Sequence, residues 1–365
     1  MTTPLILDSL EVRGFRAFSH LLIPRLGRVN LIVGKNNVGK TALLEALWLF
    51  ATRGNPATIW QMLEARSEAK RLDRDAQGIK ERAATIKHLF HGRKDIRQYV
   101  APVVIGPVDS QMSLTIALGW YTEDGGRGHR FRETKPLSVE HFNPAANPLP
   151  GIAVRLGEST GVMYRLDVSP PLSFQEPIAC TFVPAQGLNP TELERLWEGI
   201  ALTSLETDVI GALRIIAPKV ERVNLLSDSS GNLDERVPKA KIEDVDEPIP
   251  LRSLGEGMNR LFGVTLALVN SKNGLLLLDE VESGLHYSVQ PDVWRLIFET
   301  AHRLNVQVFA TTHSMDCIEA FQEAAAENEE EGVLIRLENE NGLLVATEFD
   351  ERRLGIATRE EIEVR

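Results

Sequence analysis

The sequence predicts an α/β fold with a mixed central sheet, an antiparallel β lobe and a helical insertion, and three observations carry that prediction. The first is the apolar run Val29 to Val33 (VNLIV), which enters the glycine-flanked stretch Gly34 to Thr41 (GKNNVGKT) and then the helical pattern TALLEALWLFA. The second is Gly274 to Glu280 (GLLLLDE), a short buried strand that ends in two carboxylates. The third is a change to a period near two across residues 100–180. There MSLTIALGWYT, HRFRE, IAVRLG and GVMYRLDVS are separated by turn clusters such as EDGGRG and NPAANPLPG.

Gly34 to Thr41 has the spacing of a phosphate-binding P-loop, and a strand before it and a helix after it supply the proper setting. Gly34 and Gly39 let the backbone curl so that the amides of Lys35, Asn36, Asn37 and Val38 point at phosphate oxygens. Lys40 reaches the β- and γ-phosphates, Thr41 offers a hydroxyl to Mg²⁺, and the helix start adds its positive dipole end. The pattern predicts a bound nucleoside triphosphate. With a P-loop upstream, Asp279 would hold the Mg²⁺ shell and Glu280 stands where a base polarises the water that attacks the γ-phosphate. A core strand with an acidic N-cap is the competing account of GLLLLDE, and it loses to the P-loop context.

Leu251 to Arg260 (LRSLGEGMNR) precedes the helical run LFGVTLALVNS; a serine and glycines opening a helix make a second anion site, pointing away from the first. A dinucleotide-fold reading of its two glycines fails, since no strand leads directly into it and a third glycine is missing. Beyond the acids lie Glu282 to His286 (ESGLH), the helix of PDVWRLIFETAHRL, and the strand VQVFATTHS ending at His313. A histidine at that strand tip shares the sheet edge with Asp279 and Glu280, where ligands of open α/β sheets collect, which favours a γ-phosphate contact over a structural role.

In this order the residues resemble the ATPase head of the ABC/SMC superfamily, most of all the RecF-like and OLD-like AAA ATPases that carry no long coiled coil. The opening LEVRGFRAFSHLLIPRLGRVNLIVGKNNVGKTALLEAL resembles their first lobe, DEVESGLH their Walker B and D-loop, and TTHS their switch histidine. The resemblance implies that Ser253, Gly255, Glu256 and Gly257 form the signature motif. SLGEG stands where LSGGQ is usual, so the serine position falls on Ser253 or on Gly255. Ser283 to His286 would be the D-loop and His313 the H-loop. Gln186, in Phe182 to Gln186 (FVPAQ), stands either as the Q-loop glutamine that touches Mg²⁺ or the attacking water, or as an exposed loop residue.

The same resemblance implies ATP and Mg²⁺ as cofactors and an ATP-dependent homodimer or higher homo-oligomer whose nucleotide sites are completed by a second protomer. It also implies a role in phage defence or DNA maintenance with a separate effector such as a nuclease or toxin. The last stretch, EEEGVLIRLENENGLLVATEFDERRLGIATREEIEVR, reads as a strand hairpin and a short helical tail, and the span after His313 leaves no room for the TOPRIM nuclease domain of many OLD-like proteins. The effector is therefore expected on another chain. Two further readings stay open: an ATP-dependent scaffold or sensor that hardly hydrolyses, and a RecF-like DNA clamp. A GTPase is disfavoured, because the sequence has no Asn-Lys-x-Asp guanine motif.

At 365 residues, 43% hydrophobic and 25% charged, the chain belongs to the ordinary globular class. Four stretches are expected within one discontinuous head: residues 1–54 with the P-loop, 55–180 with a basic helical segment and the β lobe, 181–250 with Gln186, helices and a hairpin, and 251–365 with the signature, acid pair and His313. Asn189 followed by Pro190 is the expected start of the inserted helices. No apolar stretch reaches the roughly 18 residues a membrane helix needs and no signal pattern opens the chain, so a cytoplasmic protein without membrane contact is expected. Cys180 and Cys317 lack metal-ligand spacing and read as small buried hydrophobes. The net charge of −11 argues against a positively coated nucleic-acid binder. Within residues 66–97, Arg66, Lys70, Arg71, Arg74, Lys80, Arg82, Lys87, Arg93, Lys94 and Arg97 outnumber the acids; a solvated helix face explains this better than DNA or RNA contact, and DNA remains an open partner. Glu243, Asp244, Asp246 and Glu247, beside prolines, read as a solvated acidic linker.

Overall fold

Two strands, β1 (Leu10–Phe15) and β2 (Phe18–Ile23), lead into β3 (Val29–Val33), α1 (Lys40–Ala51) and α2 (Pro56–Ala65). There follow β4 (Val103–Gly106), β5 (Leu114–Tyr121), β6 (Leu149–Leu156), β7 (Val162–Arg165) and β8 (Cys180–Val183). Next come α3 (Pro190–Glu198), α4 (Ser204–Leu213), β9 (Val220–Ser227), β10 (Arg236–Ile242) and β11 (Ile249–Pro250). The last third holds α5 (Glu256–Asn270), β12 (Leu275–Leu278), α6 (Gln290–Leu304), β13 (Gln307–Thr311), α7 (Met315–Ala326), β14 (Gly332–Glu340) and β15 (Leu343–Phe349). This computed structural model describes residues 4–69, 85–93, 100–121, 149–158, 162–165, 176–227, 236–328 and 331–349. Lys70, Arg71, Arg74, Lys80, Arg82, Lys94 and Arg97 of the basic stretch lie outside these residues, as does the C-terminal tail from residue 350.

The central sheet has the order β15-β14-β3-β13-β12-β8. Strands β14, β3, β13, β12 and β8 run parallel, and β15 is the antiparallel edge, so the sheet is mixed as the sequence predicts. Its inner strands are continuous apolar runs because both faces are covered. Val29, Leu31, Val33, Leu276, Leu278, Val308 and Ala310 face a core shared with α5, α6 and α7. Their alternates Ile32, Leu275, Leu277, Phe309, Val333 and Ile335 face a second core shared with α1 and the antiparallel lobe.

That lobe is the six-stranded sheet β2-β1-β4-β5-β6-β7. It is larger than the period-two stretch at 100–180 suggests, because β1 pairs antiparallel with β4 and draws the first two strands of the chain into it. At the other end Cys180 leaves the lobe: it opens β8, whose parallel register with β12 places Cys180 beside Leu275 and Val183 beside Leu278. Cys317 is buried and Cys180 only partly so.

The insertion comprises α3, α4 and the antiparallel sheet β11-β10-β9. Asn189 starts α3 through a capping box, accepting from the Glu192 N–H while the Glu192 carboxylate accepts from the Asn189 N–H. In the acidic loop after β10, Asp244 and Glu243 lie 3.1 and 3.8 Å from the ammonium of Lys219. No helix among the described residues is long and apolar enough to cross a membrane.

Candidate nucleotide site

Between β3 and α1 the chain makes the turn that the glycines permit. Gly34 has φ 141, and a Cβ there would collide with the Leu337 carbonyl oxygen. Gly39 has φ 99 and caps α1 without any side-chain hydrogen bond, leaving the helix-start N–H groups without a side-chain acceptor. The Lys40 ammonium curls back over the loop and donates to the carbonyls of Gly34 at 2.6 Å and Lys35 at 3.3 Å. Burial lowers its pKa from the usual value, opposed by the carboxylates of Asp279, Glu280 and Glu282.

β12 delivers the acid pair to the same place. The buried Asp279 carboxylate accepts the Thr311 hydroxyl at 2.7 Å and the Thr41 hydroxyl at 3.2 and 3.1 Å to its two oxygens. Glu280 sits at φ 47, and its N–H donates to the Thr311 hydroxyl at 2.9 Å. From the end of β13, the His313 imidazole Nδ1 lies 3.7 Å from the Glu280 carboxylate and 3.5 Å from that of Glu282, which also accepts the His313 N–H at 3.2 Å. Asn36, Asn37, Gly39, Lys40, Thr41, Asp279, Glu280, Thr311 and His313 line one open cavity of about 820 Å³. A hydroxyl and a carboxylate converging at its floor are hard oxygen donors, the set that suits Mg²⁺.

The structure does not bring the segment read as the signature into this cavity. Ser253, Gly255 and Glu256 are exposed; Gly255, at φ 113, caps α5 with open space where a side chain would stand. Gly257 packs against the carbonyl of Gly284, close enough that a Cβ would lie 2.8 Å from it. Glu256, Ser283 and Gly284 line a separate cavity of about 280 Å³, and Gln186 lines that one too. Gln186 is exposed in a tight turn closed by the Gly187 N–H to the Pro184 carbonyl at 2.9 Å, so its exposed-loop alternative describes its place and the P-loop cavity does not include it.

Two groups escaped the sequence reading. Arg260, 7% exposed, donates to the carbonyls of Pro184, Asp279 and Glu280. An arginine within the apolar pattern of a helix was the available signal, since such a charge is seldom buried unless paired. Arg16, Arg66 and Arg93 line the nucleotide cavity away from the acid pair. Arg16 lies 2.8 Å from Glu45 and 2.9 Å from Glu68, and Arg66 lies 2.7 Å from Glu45. Burial, outweighing Arg16 and Arg66, raises the Glu45 pKa from its ordinary value. No spacing rule marks that network, because its members come from the β1–β2 turn, mid-helix α1, the end of α2 and the loop at 93.

Residues 6–136 match the family model described as "AAA ATPase domain", and residues 200–318 match "AAA domain, putative AbiEii toxin, Type IV TA system". A protein of Helicobacter pylori named "ATP/GTP phosphatase" is 20% identical over 353 residues, covering 89% of this chain and 90% of its own length. Two solved Smc head domains are similar in fold at 12% identity. One, bound to the C-terminal winged-helix domain of ScpA, gives a TM-score of 0.50 over 95% of this chain and 98% of its own. The other, with an extended coiled coil and bound to the C-terminal domain of ScpA derived from Pyrococcus furiosus, gives 0.51 over 97% and 98%.

Proposed function

We propose that the chain is an AAA-type ATPase of the ABC/SMC superfamily that works as a nucleotide-gated pair: MgATP held on one protomer's P-loop is completed by the signature segment of another, and hydrolysis separates the two. One observation carries this reading. The P-loop, Asp279, Glu280 and His313 share a cavity, whereas Ser253, Gly255 and Glu256 are exposed and absent from its lining. A glycine-capped helix start facing outward is an anion site without an anion of its own, which a second copy can supply.

Within the cavity, the loop amides and Lys40 hold the phosphates. Thr41 and Asp279 would hold Mg²⁺, which would supply positive charge to offset that of the phosphates. Glu280 accepts a proton from the attacking water, and His313, within reach of Glu280 and Glu282, steadies the γ-phosphate end. The name of the Helicobacter relative supports nucleoside-triphosphate hydrolysis. The toxin–antitoxin description of the model matching residues 200–318 supports a partner system in which a separate effector is controlled by the pair.

Sedimentation velocity of the Glu280→Gln protein with and without MgATP tests the pairing. The expected result is a dimer with MgATP and a monomer without it, with turnover reduced by about 100-fold or more. A species no larger with MgATP than without it removes the pairing. Wild-type turnover equal to that of Glu280→Gln would instead assign the chain to the non-hydrolysing scaffolds.

A further inference from the structure

The turn between α3 and α4 carries an apolar side chain that the fold does not use. Leu202 is 98% exposed and sits at φ 64, a left-handed conformation that asparagine adopts far more readily than leucine. Hydrogen bonds fix it on both sides. The Leu202 N–H donates to the Glu206 carboxylate at 3.0 Å, and the Thr203 hydroxyl and N–H both donate to the Ile200 carbonyl, at 2.6 and 3.0 Å. A lone exposed leucine is ordinary on a protein surface. This one lines a groove of about 380 Å³ whose facing wall is the outer side of the β9–β10 hairpin.

Alternation along β9 buries Val223 and Leu225 and turns Arg222, Asn224 and Leu226 outward. The pairing register sets Lys241 opposite Arg222, Lys239 opposite Asn224 and Val237 opposite Leu226. Buried Trp197 also lines the groove and donates its indole N–H to the Asn224 side chain at 3.2 Å. Leu202 and Leu226 thus put two exposed apolar side chains in one groove. Its cations Arg222, Lys239 and Lys241 share it with one acid, Glu206, whose carboxylate already accepts the Leu202 N–H. Lys239 and Lys241 donate to the carbonyls of Ser227 and Val245, neutral acceptors that leave the ammonium charges uncancelled. On a chain of net charge −11 this groove is a local positive spot, and complementarity selects an acidic occupant. A nucleic acid fits less well. Pro248, which lines the groove, directly follows the exposed acids Asp246 and Glu247, which repel a long polyanion, and two apolar side chains have no part in a phosphate contact. We propose that the groove docks an acidic segment of the effector chain, with an apolar side chain of that segment packed on Leu202 and Leu226 and its carboxylates on Arg222, Lys239 and Lys241. This docking rests on the reading above that a separate effector is controlled by the pair, and adds where and by what chemistry that effector is held.

The test selects from a library of displayed random peptides on the full chain, then compares the selected peptides on wild type, Leu202→Asn and Arg222→Glu. Asparagine suits φ 64 better than leucine, so Leu202→Asn should keep or raise the thermal midpoint. Turnover of MgATP and affinity for the non-hydrolysed analogue AMP-PNP should stay at wild type in both variants. The expected peptides carry an apolar residue beside several Asp or Glu, weaken with salt, and bind either variant about tenfold or more weakly than wild type, as loss of one anchor or one charge contact requires. Peptides without acids, peptides that bind both variants as tightly as wild type, or no enriched peptide at all overturn the proposal. A labelled oligothymidylate that binds wild type, loses affinity in Arg222→Glu and keeps it in Leu202→Asn also overturns it, and assigns the groove to nucleic acid. Sedimentation with MgATP separates the two failures: pairing without acidic peptides removes only this docking surface, whereas acidic peptides without pairing remove the nucleotide-gated pair and leave the surface standing.

Discussion

Helix α1 begins behind Gly39 at φ 99 and α5 behind Gly255 at φ 113, and neither start has a side-chain cap. Around Gly39 the space is walled, with a Cβ there falling 3.1 Å from the Phe18 ring; around Gly255 nothing lies within 4 Å. The first helix start has a lysine, a buried acid and the phosphate loop beside it, and the second has exposed Arg252, Ser253 and Glu256 and the loop at Ser283 and Gly284. Both offer the same N–H groups and dipole end to an anion. The difference teaches that the same helix-start motif can stand in an enclosed or an open setting; under the proposed pairing, the enclosed one is a site within its own chain and the open one half of a shared site.

The enclosed side of α1 also carries a buried ion pair, and breaking it should give the largest stability effect. Arg16, 5% exposed at its side chain, pairs with Glu45 on α1 and with Glu68. Removing one partner of a buried pair costs about 3–5 kcal/mol, so Arg16→Met should lower the unfolding free energy measured by urea titration by that amount at pH 7. The pH dependence has a definite sign. Glu45 already titrates above its ordinary range through burial, and loss of Arg16 raises it further. A carboxyl whose folded pKa exceeds its unfolded value of about 4.3 keeps full stability below that value and loses it as pH rises through the folded pKa. The gap between variant and wild type should therefore narrow towards pH 4, and a gap independent of pH would detach the effect from this ion pair.

The open start at α5 should show the opposite phenotype. Gly255→Val places a branched side chain at φ 113, where it displaces the helix-start amides offered to a partner. Loss of one such donor to transition-state charge costs about 10²–10³ in kcat. Turnover and nucleotide-dependent pairing should fall together while AMP-PNP still binds the isolated protomer with wild-type affinity. An affinity loss as large as the turnover loss would mean that α5 serves its own chain's nucleotide, and the contrast between the helices would dissolve.

How far the sequence reached depends on where each signal lay. The mixed sheet and the P-loop turn were legible because strand runs of four or five apolar residues, glycines and the helix after them are all local. The acid pair and His313 were legible because each ends a strand, and parallel strands put their ends on one edge. Pairing between distant strands was not. β1 joins β4, and β8 joins β12, through hydrogen bonds that no sequence period encodes. The partners of Arg260 and of Arg16 were not legible for the same reason, since they are backbone oxygens or acids brought close only by the finished fold. Gln186 shows the converse: a motif-like residue, in FVPAQ, that lines a neighbouring cavity and not the one around the P-loop.

The smallest effect sharpens the comparison most cheaply. Beside the α5 start, Arg252 lies 3.6 Å from Glu256, with side chains 75% and 71% exposed, whereas the α1 pair is almost wholly enclosed. Water and salt screen the exposed pair, and two long side chains lose freedom to form it, so such pairs contribute about 0–1 kcal/mol. Arg252→Ala should thus leave the urea midpoint of the isolated protomer nearly unchanged. If the exposed start is a contact surface, the same substitution should act only when nucleotide is present, by weakening the pair or its salt dependence. A variant that loses stability without nucleotide would show that Arg252 braces its own chain, and the start of α5 would then be a second enclosed site rather than an open half.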